Sequence, residues 1–384
     1  MKSKLLTKTV VVSLLVAVLF VIPTVLPLAL TTASAIKCLP AGSTGLTATV
    51  VVRHSNNVIS GRTINSTGCD IGIYVEPGVS FILIKDIIVT GANQHGIFVQ
   101  DASHISITHN LVTGNGVNSH VCPPSGSPPP GCIPEDKPIE IVGTSNSSAT
   151  FNVVSNNTAD GGIGVADDGS QNPGAPLGVA GSVLKAANDI VVGNTIVDNT
   201  RGCGIVIAAY NQKAGIANVV VKENTIIGQA PGTPITSTSG PFIGQIVVAT
   251  DGPFTTISDV QVVGNSLDGS FLPGIVLHAN VFGDTISSTS IRYNVVAQNG
   301  YYPGPPNATS NTPGVIQGTT GISIVAENPQ GTLPPAVITH TLVAFNTILG
   351  DTNGVWLCYT DHSLVKHNNG NSANPKITCA AGGS

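Results

Sequence analysis

The segment Gly-Ile-x-Val, or a close variant of it, returns nine times along the chain, and no other feature constrains the fold as tightly. It reads Gly72-Ile73-Tyr74-Val75, Gly96-Ile97-Phe98-Val99, Ile139-Glu140-Ile141-Val142, Gly162-Ile163-Gly164-Val165 and Gly204-Ile205-Val206-Ile207, then Gln245-Ile246-Val247-Val248, Gly274-Ile275-Val276-Leu277, Gly321-Ile322-Ser323-Ile324 and Gly354-Val355-Trp356-Leu357. The first two copies begin 24 residues apart, at positions 72 and 96, and later spacings stretch only where Gly/Pro/Ser-rich stretches intervene. Within a unit the opening strand is followed by a polar turn, a second alternating strand, an Asn and a short third strand, as in Ile190-Val191-Val192-Gly193-Asn194 and Thr225-Ile226-Ile227-Gly228. Three short strands repeated at this period predict a coil whose turns stack in parallel and bury alternate Ile, Val and Leu side chains along one axis.

The Asn residues belong to the same expectation. Asn110, Asn157, Asn194, Asn224, Asn265, Asn294 and Asn346, extended by Asn368, are read as one column. Asn tolerates the left-handed turn region, and its amide can bond the same residue one turn away.

Composition agrees with a β coil and excludes other classes. Hydrophobic residues make up 41 % and charged residues 9 %, with 44 Gly and 26 Pro, too apolar for a disordered polyelectrolyte and too poor in charge for a helical bundle. Fifteen Lys and Arg stand against 20 Asp and Glu, so the concentrated positive patch that phosphate binding needs is missing and nucleic acid is not an expected partner.

Lys2, Lys4 and Lys8 precede an apolar run from Thr9 to Leu30, followed by Thr31-Thr32-Ala33-Ser34-Ala35. This is the pattern of a secretory signal peptide over residues 1–35, cleaved after Ala35, with residues 36–384 as one mature domain. An uncleaved anchor is the alternative, because the run is long enough to span a bilayer; after cleavage no membrane contact is expected. Seven cysteines in an exported chain favour disulfides over metal sites. Sequence-near pairing gives Cys38–Cys69, Cys122–Cys132 and Cys358–Cys379, the first and last stapling the two ends, with Cys203 left as a buried small hydrophobe.

With these repeats in hand the chain resembles the right-handed parallel β-helix proteins of the pectate-lyase-like superfamily, over roughly Ala48 to Asn368. The resemblance implies an all-β, single-stranded right-handed parallel β-helix, a solenoid of about ten rungs. Members that act on polysaccharides place their sites on the outer face of one sheet, between long border loops. Segments 117–137, 229–240 and 301–313 lead into opening strands here, and 169–180 leaves one.

Five residues past the Ile of each opening strand lie Asp168, Tyr210, Asp251, Asn280 and Glu327, with Asp101, Asp167, His278 and Asp361 within a residue or two. In a stacked coil these positions form one row, spaced by about 4.8 Å per rung. Carboxylates on alternate rungs would then sit roughly 9 to 10 Å apart, near the upper end of the separation in an inverting glycosidase. Asp168, Asp251 and Glu327 are therefore the candidate catalytic residues, and Tyr210, His278, Asn280 and Asp167 the candidate substrate-binding residues. The competing expectation is turn capping, because Asp and Asn side chains bond local backbone N–H groups. Hydrolysis of this kind requires no cofactor, although Asp167, Asp168 and Asp251 offer the hard oxygens that Ca²⁺ takes.

Family motifs add little. Asp167-Asp168 resembles the paired aspartates of polygalacturonases and Gln94-His95-Gly96 their His-Gly element, but the order is reversed and no Arg-x-Lys strand follows. A lyase would need an Arg or Lys base, and neither Arg201 nor Arg292 falls on an opening strand. His104 and His109, five apart on a strand, are expected to face opposite sides. Asn65, Asn146, Asn156 and Asn307 open glycosylation sequons.

The outward positions of the opening strands read Tyr74, Phe98, Glu140, Gly164, Val206, Val247, Val276, Ser323 and Trp356. Such a stripe would stack sugar rings, support self-association, or lie under the chain's own loops. Two functions follow: an exported protein that binds, and in the stronger form cleaves by hydrolase-like or lyase-like chemistry, an extracellular polysaccharide; or a non-catalytic envelope, adhesion or structural solenoid.

Overall fold

The computed structural model describes residues 37–42, 44–117, 137–158, 161–167, 185–199, 203–210, 214–228, 244–250, 252–270, 273–299, 320–326, 334–351, 353–371 and 374–378. No helix occurs among them, and all fall in one compact unit, Ile36–Ser384. The Gly-Ile-x-Val strands form a 12-stranded opening sheet from Leu39–Pro40 to Asn374–Thr378. Two 10-stranded sheets run from Asn57–Ser60 to Leu364–Lys366 and from Thr63–Asn65 to Asn369–Gly370. A 6-stranded sheet, Ala186–Ala187 to Thr360–Asp361, inserts a further short strand after the opening strand in the later rungs. Leu39–Pro40 pairs antiparallel with Thr47–Ala48, while the strands that build the rungs pair in parallel, for example Ile163↔Ile205↔Ile246↔Ile275↔Ile322.

Alternation sends Ile73, Ile97, Ile139, Ile163, Ile205, Ile246, Ile275 and Ile322 inward, each at 0 % exposure, to meet the central residues of the other sheets, such as Val191, Ile196, Ile226 and Ile291. Burying each of these side chains contributes about 2 kcal/mol or more. The Gly that opens the motif has a steric cause. A Cβ on Gly204 would lie 2.6 Å from Ile226 Cγ2 and 2.7 Å from the Gln245 carbonyl oxygen, and one on Gly96 would lie 2.5 Å from Val112 Cγ1, so this corner closes only without a side chain.

The Asn expectation holds with one correction. The ladder runs through Asn110, Asn152, Asn194, Asn224, Asn265, Asn294, Asn346 and Asn368; from Asn152 on, each Oδ1 accepts from the backbone N–H and the Nδ2 of the Asn one rung before, while Asn110 Oδ1 accepts from the Ile87 N–H. Asn157 belongs instead to a second ladder at the next corner, Asn115–Asn157–Asn199. The left-handed residue of the first ladder's corner is the one before the Asn: His109, Phe151, Glu223, Tyr293, Phe345 and His367 have φ between 53° and 58° there. Their side chains turn outward and several stack, as in Tyr293–Phe345–His367 at 5.3 and 5.2 Å.

Cys38 and Cys69 form a disulfide. Cys358 is also disulfide-bonded; Cys122, Cys132 and Cys379 lie outside the described residues. Cys203 is buried. His104 and His109 both face solvent rather than opposite sides, because a left-handed residue at each corner rotates them outward, onto Phe81 and Phe151 respectively.

Candidate active face on the opening sheet

The outward row of the opening sheet is closed off. Tyr74, Val276 and Ser323 are 0 % exposed and Glu140, the most open of the row, 8 %. Tyr74 and Phe98 pack with Ala41, Ala48, Val142 and Ala166; Val206, Val247 and Val276 pack with Cys203, Ala208 and Ala249; Trp356 packs with Val325 and Cys358. The apolar stripe is thus buried within the chain.

Where the row crosses the rungs beginning at His95 and Lys137 it becomes charged. His95, Lys137, Glu140, Gln100 and Asp101 are all at least nine-tenths buried there. His95 Nδ1 lies 3.1 Å from Glu140 Oε2 and 3.0 Å from the Lys137 carbonyl oxygen, and its ring stacks on Phe98 at 4.8 Å. On the preceding rung the Tyr74 hydroxyl donates to Gln100 Oε1 at 2.9 Å; burial, then the negative charges of Glu76 and Asp101, push this phenol above its ordinary range. The following rung carries Gly164, where a Cβ would lie 2.9 Å from Lys137 Cγ and 3.6 Å from Glu140 Cγ, so both charged side chains lean over a position without one. Desolvating ions costs free energy that a purely structural row could avoid. An imidazole, an amine and two carboxylates together are groups that move protons. Sequence reasoning missed Lys137 because it stands just before strand Ile139–Val142, outside the alternating positions, and passed over His95 because the motif around it matched the polygalacturonase pattern only faintly.

At the far border of the sheet, Ala209↔Thr250↔Ala279↔Ala326 are in register, which makes Tyr210, Asp251, Asn280 and Glu327 the next residues of equivalent rungs. Tyr210 and Asn280 are partly exposed at this border. Asp168, Asp251 and Glu327 lie outside the described residues. Two of the candidate substrate-binding residues, Asp167 and His278, are buried. Asp167 is 0 % exposed, and its Oδ1 and Oδ2 accept the backbone N–H groups of Tyr210 and Gly215 at 2.8 and 2.9 Å, so it anchors the border turn. His278 is 0 % exposed on strand Ile275–Ala279, within the packed face instead of at its rim. Asp284 does similar work, accepting from Thr255 N at 3.1 Å and Val281 N at 2.9 Å, with burial raising its pKa. Among the described residues no group of three or more His, Cys, Asp or Glu side chains could hold a metal ion.

The family described as "Right handed beta helix region" matches residues 48–291, more than half of the chain, and the protein belongs to that family. Comparison with curated protein sequences finds no significant match. Among solved structures, the Azotobacter vinelandii mannuronan C-5 epimerase AlgE4 A-module is similar at 10 % identity and TM-score 0.43, covering 87 % of this chain and 79 % of that one. PfbA, a surface adhesin of Streptococcus pneumoniae, is similar at 12 % identity and TM-score 0.22, over 81 % and 86 %. The catalytic domain of a GH87 alpha-1,3-glucanase is similar at 11 % identity and TM-score 0.23, over 88 % and 64 %. Likeness at this level carries no argument about activity.

Proposed function

We propose that this is an exported right-handed β-helix protein that binds extracellular polysaccharide along the border of its opening sheet and processes it with carboxylates of the row Asp168, Asp251 and Glu327, Tyr210 and Asn280 orienting the sugar. The observation that supports the reading is the shared register of Ala209, Thr250, Ala279 and Ala326, because one register carries the residues that follow into one row. Export is supported by the leader pattern and by the Cys38–Cys69 disulfide. No helix among the described residues is long and apolar enough to cross a membrane. The row works without a cofactor, Ca²⁺ at Asp168 and Asp251 being an addition that its chemistry would accommodate.

A non-catalytic adhesion or structural solenoid is the second reading, favoured by the uninterrupted packing of Val206, Val247 and Val276 across the middle of the face. A glycan array and a reducing-sugar screen on the mature chain, beside Asp168→Asn and Asp251→Asn, separate the two. The proposal expects sugar release by the wild type and about a hundredfold loss or more in each variant. Binding without turnover moves the assignment to the second reading, and full activity in both variants removes the row.

A further inference from the structure

We propose that the outer corner before the long Asn ladder carries a sugar-binding notch at Gly264, walled on one side by the open face of the Tyr293 ring and on the other by the Glu223–Lys222 ion pair, and that it seats one neutral pyranose ring. At this corner His109, Phe151, Glu223, Tyr293, Phe345 and His367 hold large side chains on left-handed backbone, so the coil accepts a side chain there. Gly193 and Gly264 are the exceptions. Gly193 has a steric cause, because a Cβ on it would lie 2.6 Å from the Phe151 ring. Gly264 has none: a Cβ on it would meet only Glu223 Cγ within 4 Å, at an ordinary contact distance of 3.7 Å. Its φ of 68° suits glycine, but the large residues on the other rungs show that this conformation does not demand one.

The gap left by the missing side chain is one ring thick. The Glu223 N–H donates to the Val263 carbonyl oxygen at 3.1 Å and the Gly264 N–H to the Arg292 carbonyl oxygen at 3.0 Å, which places Glu223, Gly264 and Tyr293 on consecutive rungs. At about 4.8 Å per rung, Glu223 and Tyr293 stand roughly 9 to 10 Å apart. On its far side the Tyr293 ring stacks on Phe345 at 5.3 Å, and Phe345 on His367 at 5.2 Å. On the Gly264 side it meets no ring among the described residues, and Tyr293 is 56 % exposed. A ring seated in the notch extends this stack by one member at nearly the same spacing.

The walls select the chemistry of that ring. The C–H face of a pyranose lies against the face of Tyr293. Glu223 Oε1, 3.0 Å from Lys222 Nζ, accepts from sugar hydroxyls while the ammonium donates to them. Both side chains are exposed and so reach a ligand from solvent, whereas a purely apolar ring would leave their charges unused. Arg292 stands in register with Lys222 through Val263 and directly before Tyr293. Its Nε has no hydrogen-bond partner, and its positive charge opposes an ammonium ligand. The ligand class rests on the proposed function; the notch itself shares no residue with the border row, lying at the corner between strands Ser290–Arg292 and Val295–Ala297.

Glycan-array binding by the mature chain, followed by calorimetric titration with the strongest-binding neutral gluco-, manno-, galacto- or xylo-oligosaccharide, tests the notch. The expected result is binding that weakens about tenfold in Tyr293→Ala and persists in Tyr293→Phe, which keeps the ring. Gly264→Asn fills the slot with a residue that tolerates the left-handed region and should weaken binding to a similar degree. Thermal melts followed by circular dichroism show whether each variant is folded; if Tyr293→Ala is not, Gly264→Asn and Tyr293→Phe carry the test. A wild type that binds none of these neutral oligosaccharides, or undiminished affinity in Gly264→Asn, overturns the proposal. Should Asp168→Asn and Asp251→Asn abolish turnover while Tyr293→Ala and Gly264→Asn bind as the wild type does, the notch fails and the border row stands. Weakened binding in the two corner variants, with turnover intact in Asp168→Asn and Asp251→Asn, separates them the other way.

Discussion

The same opening strands build two regions that obey different rules. On the inward side, Ile163, Ile205, Ile246, Ile275 and Ile322 repeat one residue type over five consecutive rungs, and the Asn ladder at the next-but-one corner repeats with equal regularity. On the outward side the row holds Val at three rungs, Val206, Val247 and Val276, but is Glu140 and Gly164 before them and Ser323 after, so its character changes along the stack. Repetition is what a stack demands, because each rung is the template for the next. Departure from it marks positions where the stack is indifferent and some other requirement has set the residue.

The comparison can be broken at its strongest point first. Ile246→Ala, in the middle of the inward row, is expected to cost about 4 kcal/mol by leaving a cavity between rungs that cannot collapse, read as a fall in the denaturation midpoint; a cost below that of the outward Val247→Ala would erase the distinction. Next comes Asn265→Ala. It removes the acceptor for the Asn224 N–H and Nδ2, both at 2.9 Å, and the donor to the Val221 carbonyl oxygen, and should cost about 3 kcal/mol.

A smaller effect of opposite sign comes from the second ladder. Its slot at residue 351 holds Asp, whose Oδ1 accepts the Asn299 N–H at 3.1 Å while Oδ2 has no partner. Burial pushes this carboxyl up to about 7. The folded state therefore holds its proton more tightly than the unfolded chain does. The stability contribution is complete below about pH 4, falls as pH rises towards 7, and is absent above it. Asp351→Asn should raise stability by about 2 kcal/mol at pH 8 and leave it unchanged at pH 4. Asp189, also pushed up to about 7 by burial, keeps part of the pH dependence in the variant. Equal gains at both pH values would show that hydrogen bonding, not ionisation, sets the difference. The smallest effect belongs to the outer corner: Phe345→Ala, in a stack that leaves Phe345 43 % exposed, should cost about 1 kcal/mol or less.

Particular residues show how much of this was legible beforehand. The rungs, their parallel stacking and the inward Ile and Val follow from Gly-Ile-x-Val alone, since a period-2 pattern recurring in register leaves little freedom. Asn157 was misplaced because two ladders share a residue type at neighbouring corners, and only hydrogen-bond partners separate Asn152 from it. The outer face was less legible for a physical reason. Whether an apolar residue such as Val247 faces solvent or a covering segment depends on non-local packing, which alternation does not encode. Asp167 illustrates the same point: a carboxylate directly after a strand end serves a ligand or a turn equally well by spacing, and only the structure shows its two backbone N–H partners in the border turn.

The central claim is that residues far apart in sequence, one per rung, stand in a single row along the opening-sheet border. Paired cysteine substitutions measure this directly under oxidising conditions, with the linkage read by peptide mass mapping. Tyr210→Cys with Asp251→Cys, one rung apart at about 4.8 Å, is within disulfide reach and should form a bridge; Tyr210→Cys with Asn280→Cys, two rungs apart at roughly 9 to 10 Å, should not. A bridge in the first pair and none in the second is the result the account predicts. Absence of the 210–251 bridge, or equal bridging in both pairs, would contradict it.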